Sequence, residues 1–193
     1  MRASRSLVRV SESSTVPGLR YTAEWITTDE ELALLAAVDA APWSTELRRR
    51  VQHYGMRYDY TSRAVAARER TPLPDWAVAL GARLTFEPDQ VIVNEYLPGQ
   101  GISAHTDCVP CFGPEVAAVS LGSACTMEFA HDGVRVDVPL AARSLCLMTG
   151  PARYEWRHAI AARKSDPSPG GGRTARGRRV SVTFRTVLTE PAR

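Results

Sequence analysis

His105 and Asp107 stand two residues apart in the stretch HTDCVPC, and His158 follows in YEWRHAI. Two histidines and one carboxylate form the donor set of a mononuclear non-haem iron(II) site. Such a site holds one face of the metal with three protein ligands and leaves the other positions open. On an extended segment the H-x-D spacing turns both side chains the same way. His158 would close the set from a second strand-like segment. An H-x-D pair alone is weak evidence, but a second feature supports it. Arg179 and Arg185 lie six positions apart in RVSVTFR, hence on one face of a strand, with apolar residues between them. Two inward-facing guanidinium groups are costly to bury without anions. A dicarboxylate supplies two carboxylates, each matched to a guanidinium fork. The triad followed by this pair reads as an iron site with a 2-oxoglutarate co-substrate.

The same HTDCVPC stretch holds a second metal signature, the C-x-x-C pair Cys108 and Cys111. No second pair stands at zinc-finger spacing, so the two are expected as thiols at the mouth of the pocket. Cys125 and Cys146 are expected as buried thiols.

These residues need elements to carry them. TTDEELALLAAVDAAPW has a helix start: Thr27 or Thr28 as cap, Asp29, Glu30 and Glu31 in the first turn, and Leu32, Leu35 and Ala36 at a helical period. Pro42 ends it. RRRVQHYGMRYDY alternates basic, polar and aromatic residues around Gly55 and reads as a hairpin with one wet face. DWAVALGARL suggests a second, shorter helix. From Gln90 onward, QVIVNEYL, AAVSLG, CTMEFA, VRVDVPL, SLCLMTG, YEWRHAI and RVSVTFRTVL are short strand patterns separated by turn residues. That rhythm predicts an antiparallel sandwich or barrel. DPSPGGGRTARGR reads as a loop by composition. The expected architecture is α+β: a double-stranded β-helix, or jelly-roll, core with two N-terminal helices packed against it. One domain is expected over 1–193, with an arm at 1–24, helices and a substrate-recognition hairpin at 25–89, and the core at 90–188.

In order and spacing, NEYLPGQGISAHTD, SLGSACTMEF, LMTGPARYEWRHAI and RVSVTFR resemble the motifs of the AlkB family of iron(II)/2-oxoglutarate dioxygenases. RRRVQHYGMRYDY is similar to the stretch before the core in the tRNA wobble-uridine hydroxylase-like branch, as an oxygenase domain only. The resemblance implies His105, Asp107 and His158 as iron ligands. It implies Asn94, Tyr96, Arg179 and Arg185 as 2-oxoglutarate ligands, with O₂ as the third reactant, and places Arg153 near substrate. Arg49, Arg50, His53, Tyr54 and Tyr58 offer suitable types for a nucleic-acid base and its phosphates. Val109 departs from the family pattern. The founding DNA-repair enzyme has a carboxylate there, and the tRNA branch has a zinc-binding histidine.

Composition limits the remaining choices. Net charge is +3, with 44% hydrophobic and 23% charged residues, which suits an ordinary globular chain. The segment Arg163–Arg185 carries seven basic residues against Asp166 alone, a candidate stripe for a polyanion. No apolar run is long enough to span a bilayer, and the basic start lacks a secretory core. A cytoplasmic monomer acting on tRNA or on alkylated DNA or RNA is expected, with hydroxylation or demethylation of a base as the reaction. The alternative is a hydroxylase of a small molecule or protein side chain that uses the same iron site.

Overall fold

A computed structural model describes residues 10–12, 15–45, 48–59, 64–168 and 171–188 of the chain. Strands β1 (Val10–Glu12) and β2 (Leu19–Thr22) lead into helix α1 (Thr28–Ala40). The hairpin β3 (Val51–Asp59) and β4 (Ala64–Thr71) follows, then helix α2 (Asp75–Gly81) and strands β5 (Gln90–Tyr96) and β6 (Ile102–His105). Next come β7 (Phe112–Gly122), β8 (Cys125–His131), β9 (Val134–Leu140), β10 (Leu145–Met148) and the short helix α3 (Gly150–Tyr154). The chain closes with β11 (Arg157–Ile160), β12 (Ser165–Pro167), β13 (Arg173–Ala175) and β14 (Arg179–Val187).

The strands form an eight-stranded sheet in the order β1-β2-β10-β7-β14-β5-β3-β4 and a four-stranded sheet in the order β6-β11-β8-β9. All pairings are antiparallel, and they make the jelly-roll. Alternation divides the large sheet into two faces. Val91, Val93, Ala117, Val119, Val180, Val182 and Phe184 turn one way and pack with Leu34 and Val38 of α1 and Ala77 and Leu80 of α2. Tyr96, Val116, Cys146 and Met148 turn the other way and pack with Cys125, Met127, Phe129 and Val138 of the small sheet. Gln90, Asn94 and Tyr96 of β5 and Arg179, Ser181 and Arg185 of β14 face this second, inner side, while Glu95 of β5 faces the helices.

Helix α1 starts as its sequence requires. Thr27 accepts from the Glu30 amide (3.1 Å), while Glu30 accepts from the Thr27 amide (2.7 Å), a capping box that satisfies two otherwise unpaired donors. Its buried face is rotated from the expected one. Glu31, Leu34 and Val38 face the core, whereas Leu32 is 62% exposed. A buried glutamate is tolerated because Arg143 (3.0 Å) and the Gly122 amide (2.7 Å) both donate to it.

Two further expectations are corrected. Gly55 is not at the hairpin turn. It lies within β3 at a positive φ of 79°, where a Cβ would sit 1.9 Å from the Asp89 carbonyl oxygen, so only glycine fits. The DPSPGGGRTARGR stretch is not all loop, since β12 and β13 pair within it. Asp166 holds them in place by accepting from Arg176 (2.5 and 2.7 Å) and Arg163 (2.8 Å). No helix among the described residues is long and apolar enough to cross a membrane.

Candidate active site

His105 ends β6, and His158 lies directly opposite it in the register of β11. Directly opposed residues of an antiparallel pair share a face, and here their rings are 4.4 Å apart. Asp107 follows β6 after one intervening residue. One ligand atom from each of His105, Asp107 and His158 lies within 4.8 Å of the other two, the one such group of histidine, cysteine and acid side chains among the described residues. The Nδ1 of His105 is 2.8 Å from the Ser103 carbonyl oxygen, which turns its Nε2 toward Asp107 (3.8 Å).

The electrostatics suit a cation. Burial pushes the His158 imidazole down to about 4, so it is neutral and able to ligate at physiological pH. Burial alone would push the Asp107 carboxyl up. Arg185, His158, His105 and Arg153 together outweigh it and hold the group below the usual carboxylate range. Arg185 Nη2 donates to Asp107 Oδ1 at 2.9 Å, and its guanidinium lies 4.6 Å over the Phe112 ring.

Beside the triad runs a polar strip on the inner face of the large sheet. Arg179 of β14 is opposite Tyr96 of β5, Ser181 is opposite Asn94, and Arg185 is opposite Gln90. Arg179 is only 3% exposed. Its Nη2 donates to Ser120 Oγ at 2.9 Å, but its Nε and Nη1 are buried with no hydrogen-bond partner, as are Arg185 Nε and His158 Nδ1. A buried guanidinium with two unused donors is a strong indication of an anionic ligand. The residues present therefore fit both iron(II) and a dicarboxylate: two imidazoles and a carboxylate for the metal, and orphaned guanidinium donors for the anion. Tyr96 is buried, which raises its phenol above the ordinary value, and it lies between Arg49 (5.8 Å) and Arg179 (5.5 Å).

The expected substrate residues are spread over different places. Arg49 and His53 are on the inner face: Arg49 Nε donates to Asn94 Oδ1 at 2.9 Å, and His53 is opposite Ile92 in β5. Tyr54 is on the opposite, helix-covered face, edge-on to Trp76 (5.7 Å) and donating to Gln52 Oε1 (3.0 Å). Arg50 is also turned away, gripping Glu95 with two bonds (2.6 and 2.7 Å) under the Trp43 ring. One-residue alternation turns both away from the inner face. The side chain of Tyr58 lies outside the described residues.

Arg153, which the resemblance places near substrate, lies against the loop that carries Asp107. It is 2% exposed and donates to the carbonyl oxygens of Asp107 (2.9 Å), Cys108 (3.2 Å), Phe112 (3.3 Å) and Gly113 (3.3 Å). It braces the loop that carries Asp107. Sequence reading missed this bracing, which has no local signal because its acceptors lie 40 to 46 residues away. Cys108 and Cys111, expected as thiols, are joined as a disulfide in that same loop and so are not available as metal ligands in this state. Cys125 and Cys146 are buried thiols as expected, and burial pushes Cys146 up to about 12. The basic stripe is largely neutralised. Arg163 and Arg176 pair with Asp166, Arg178 with Asp39 and Glu95, and Arg185 with Asp107.

Comparison with known proteins agrees with this geometry. The model of the 2OG-Fe(II) oxygenase superfamily matches residues 19–185. The chain is 37% identical to the Mus musculus tRNA (carboxymethyluridine(34)-5-O)-methyltransferase ALKBH8 over 91% of its own length and 31% of that protein's. It is 32% identical to the Arabidopsis thaliana alkylated DNA repair protein ALKBH8 homolog, over 94% of its own length and 62% of that protein's. The chain thus spans about a third of the mouse relative and less than two thirds of the plant one. The solved structure of OsALKBH1 superposes with a TM-score of 0.72 at 16% identity, covering 92% of this chain and all of that one, which shows the shared fold. The superfamily uses iron(II), 2-oxoglutarate and O₂, and the chain belongs to it as an AlkB-type 2OG-Fe(II) oxygenase.

Proposed function

We propose that His105, Asp107 and His158 hold iron(II), that Asn94, Tyr96, Arg179 and Arg185 hold 2-oxoglutarate, and that the substrate is a nucleic acid, tRNA before alkylated DNA or RNA. The observation that carries the cofactor assignment is the pair of orphaned Arg179 donors on the inner face of the large sheet, on the strand whose Arg185 reaches Asp107. When bound, iron(II) and 2-oxoglutarate supply oxidative decarboxylation coupled to hydroxylation of a substrate C–H bond. The protein's residues position these partners. Arg179 takes the distal carboxylate of the co-substrate in its unused N–H groups. Ser120 holds the guanidinium from behind. Arg185 keeps Asp107 ionised and oriented. Tyr96 stays a neutral phenol and donates a hydrogen bond. The inner core of Met127, Phe129 and Met148 keeps water from the site's floor.

The substrate class rests on relatives named for tRNA and for alkylated DNA repair. What carries over is the nucleic-acid class and not the methyl transfer in the mouse relative's name. His53, on the inner face of the large sheet, supplies an aromatic ring for a flipped base. A second reading, a small-molecule or protein-side-chain hydroxylase, is favoured by one observation. Four of the seven basic residues of the expected stripe are paired with internal acids, which weakens the case for a phosphate-tracking surface. Succinate release with iron(II), measured across tRNA, methylated oligonucleotides and metabolites, separates the two. Stimulation by tRNA above the others supports the first reading. Stimulation only by non-nucleic substrates overturns it.

A further inference from the structure

Arg49 is one residue from Arg50 yet does something quite different. Its backbone is pinned on both sides: the Glu95 amide donates to the Arg50 carbonyl (3.0 Å), and Gln100 Nε2 donates to the Arg48 carbonyl (2.9 Å). Arg50 grips Glu95 on the helix-covered face. The intervening side chain is thereby turned to the inner face, where it meets two of the proposed co-substrate residues, Asn94 (2.9 Å) and the Tyr96 ring (5.8 Å).

A guanidinium has donors only, so its bond to Asn94 can be made only to the carboxamide oxygen. Once Oδ1 accepts from Arg49, the Asn94 NH₂ group points away from it. We propose that Arg49 is a positioning residue that fixes the Asn94 carboxamide so that its NH₂ group, and not its carbonyl, is presented to the co-substrate. The reversed amide would aim a carbonyl dipole at an anion. The inference rests on the reading that Asn94 helps to hold 2-oxoglutarate, and it assigns Arg49 to the co-substrate instead of the nucleic acid.

The test is calorimetric titration of 2-oxoglutarate into the full chain loaded with redox-inert manganese(II). The variants are Arg49→Ala, Asn94→Ala and the double mutant. A charged hydrogen bond lost at a half-buried site corresponds to about tenfold in affinity. Each single variant is expected to bind about tenfold more weakly. Because Arg49 acts through Asn94, the double variant is expected to lie within about threefold of Asn94→Ala alone. Wild-type affinity in Arg49→Ala, or losses that multiply to about a hundredfold in the double variant, would overturn the inference. Arg49→Lys, which keeps a donor and the charge, and Arg49→Met, which keeps only bulk, repeat the test should the alanine variant unfold. Recovery in lysine alone is expected, and equal binding by the two would count against the proposal. A wild-type chain that does not take up 2-oxoglutarate would instead bring down the co-substrate assignment itself.

Discussion

Arg153 shows how far a residue's type can be read and where its role must come from the fold. The family resemblance places this arginine near substrate. Its four carbonyl acceptors make it the brace of the loop from Asp107 to Gly113. Removing the guanidinium leaves several buried carbonyls unpaired, at about 1–3 kcal/mol for each one that water cannot reach. Arg153→Met is therefore expected to lower the melting temperature and also to weaken iron(II) binding, because Asp107 loses its support. Calorimetric melting and metal titration on the same protein check this, and a loss of stability with unchanged metal affinity would refute the bracing role. The convergence of His105, Asp107 and His158 and the burial of Arg179 were legible because they follow from residue type and spacing. The bonded state of Cys108 and Cys111 was not, because C-x-x-C spacing fits thiols, metal ligands and a disulfide alike. Neighbouring Arg49 and Arg50 were grouped together in the sequence, although alternation sends them to opposite faces.

At the scale of elements, strand patterns carried most of the fold. RVSVTFR gives β14 with its polar residues on one face, which lines the candidate site. Helix α1 was legible in its cap but not in its buried stripe, because Glu31 is paired across space with Arg143, which no local period reveals. The β12–β13 hairpin was hidden by its glycine-rich composition, and its stability comes from one acid between two arginines. Asp166 shows what that ion cluster contributes. Burial works against its charged form, but hydrogen bonds from Arg176 and Arg163 prevail and lower it from 3.8 to about 2. A carboxyl lowered on folding adds stability that is present above its unfolded value and lost as pH falls through the folded one. The contribution, about 2 kcal/mol from the size of the shift, is thus complete above about pH 4 and disappears toward pH 2. Asp166→Asn is expected to raise the midpoint of acid unfolding and flatten stability between those values. An unchanged acid-unfolding curve would show that the cluster adds nothing.

For the whole molecule, two sheets close over one polar strip and bring residues from β5, β6, β11 and β14 into a single constellation. Iron chemistry was legible at this scale because an ordered set of motifs has to converge for any of them to work. Substrate was less so, since charge counted along the chain says little once folding has paired it. The Arg163–Arg185 segment reads as a basic stripe in sequence, yet Asp166, Asp39, Glu95 and Asp107 take most of its cations. The central claim is that one centre, built from His105, Asp107 and His158, couples 2-oxoglutarate to O₂. The measurement closest to it is turnover under isotopically labelled dioxygen, with succinate and the oxidised substrate analysed by mass. One labelled atom in succinate, and none formed by His158→Ala, is the expected result. Unlabelled succinate, or labelled succinate still produced by His158→Ala, would contradict the account.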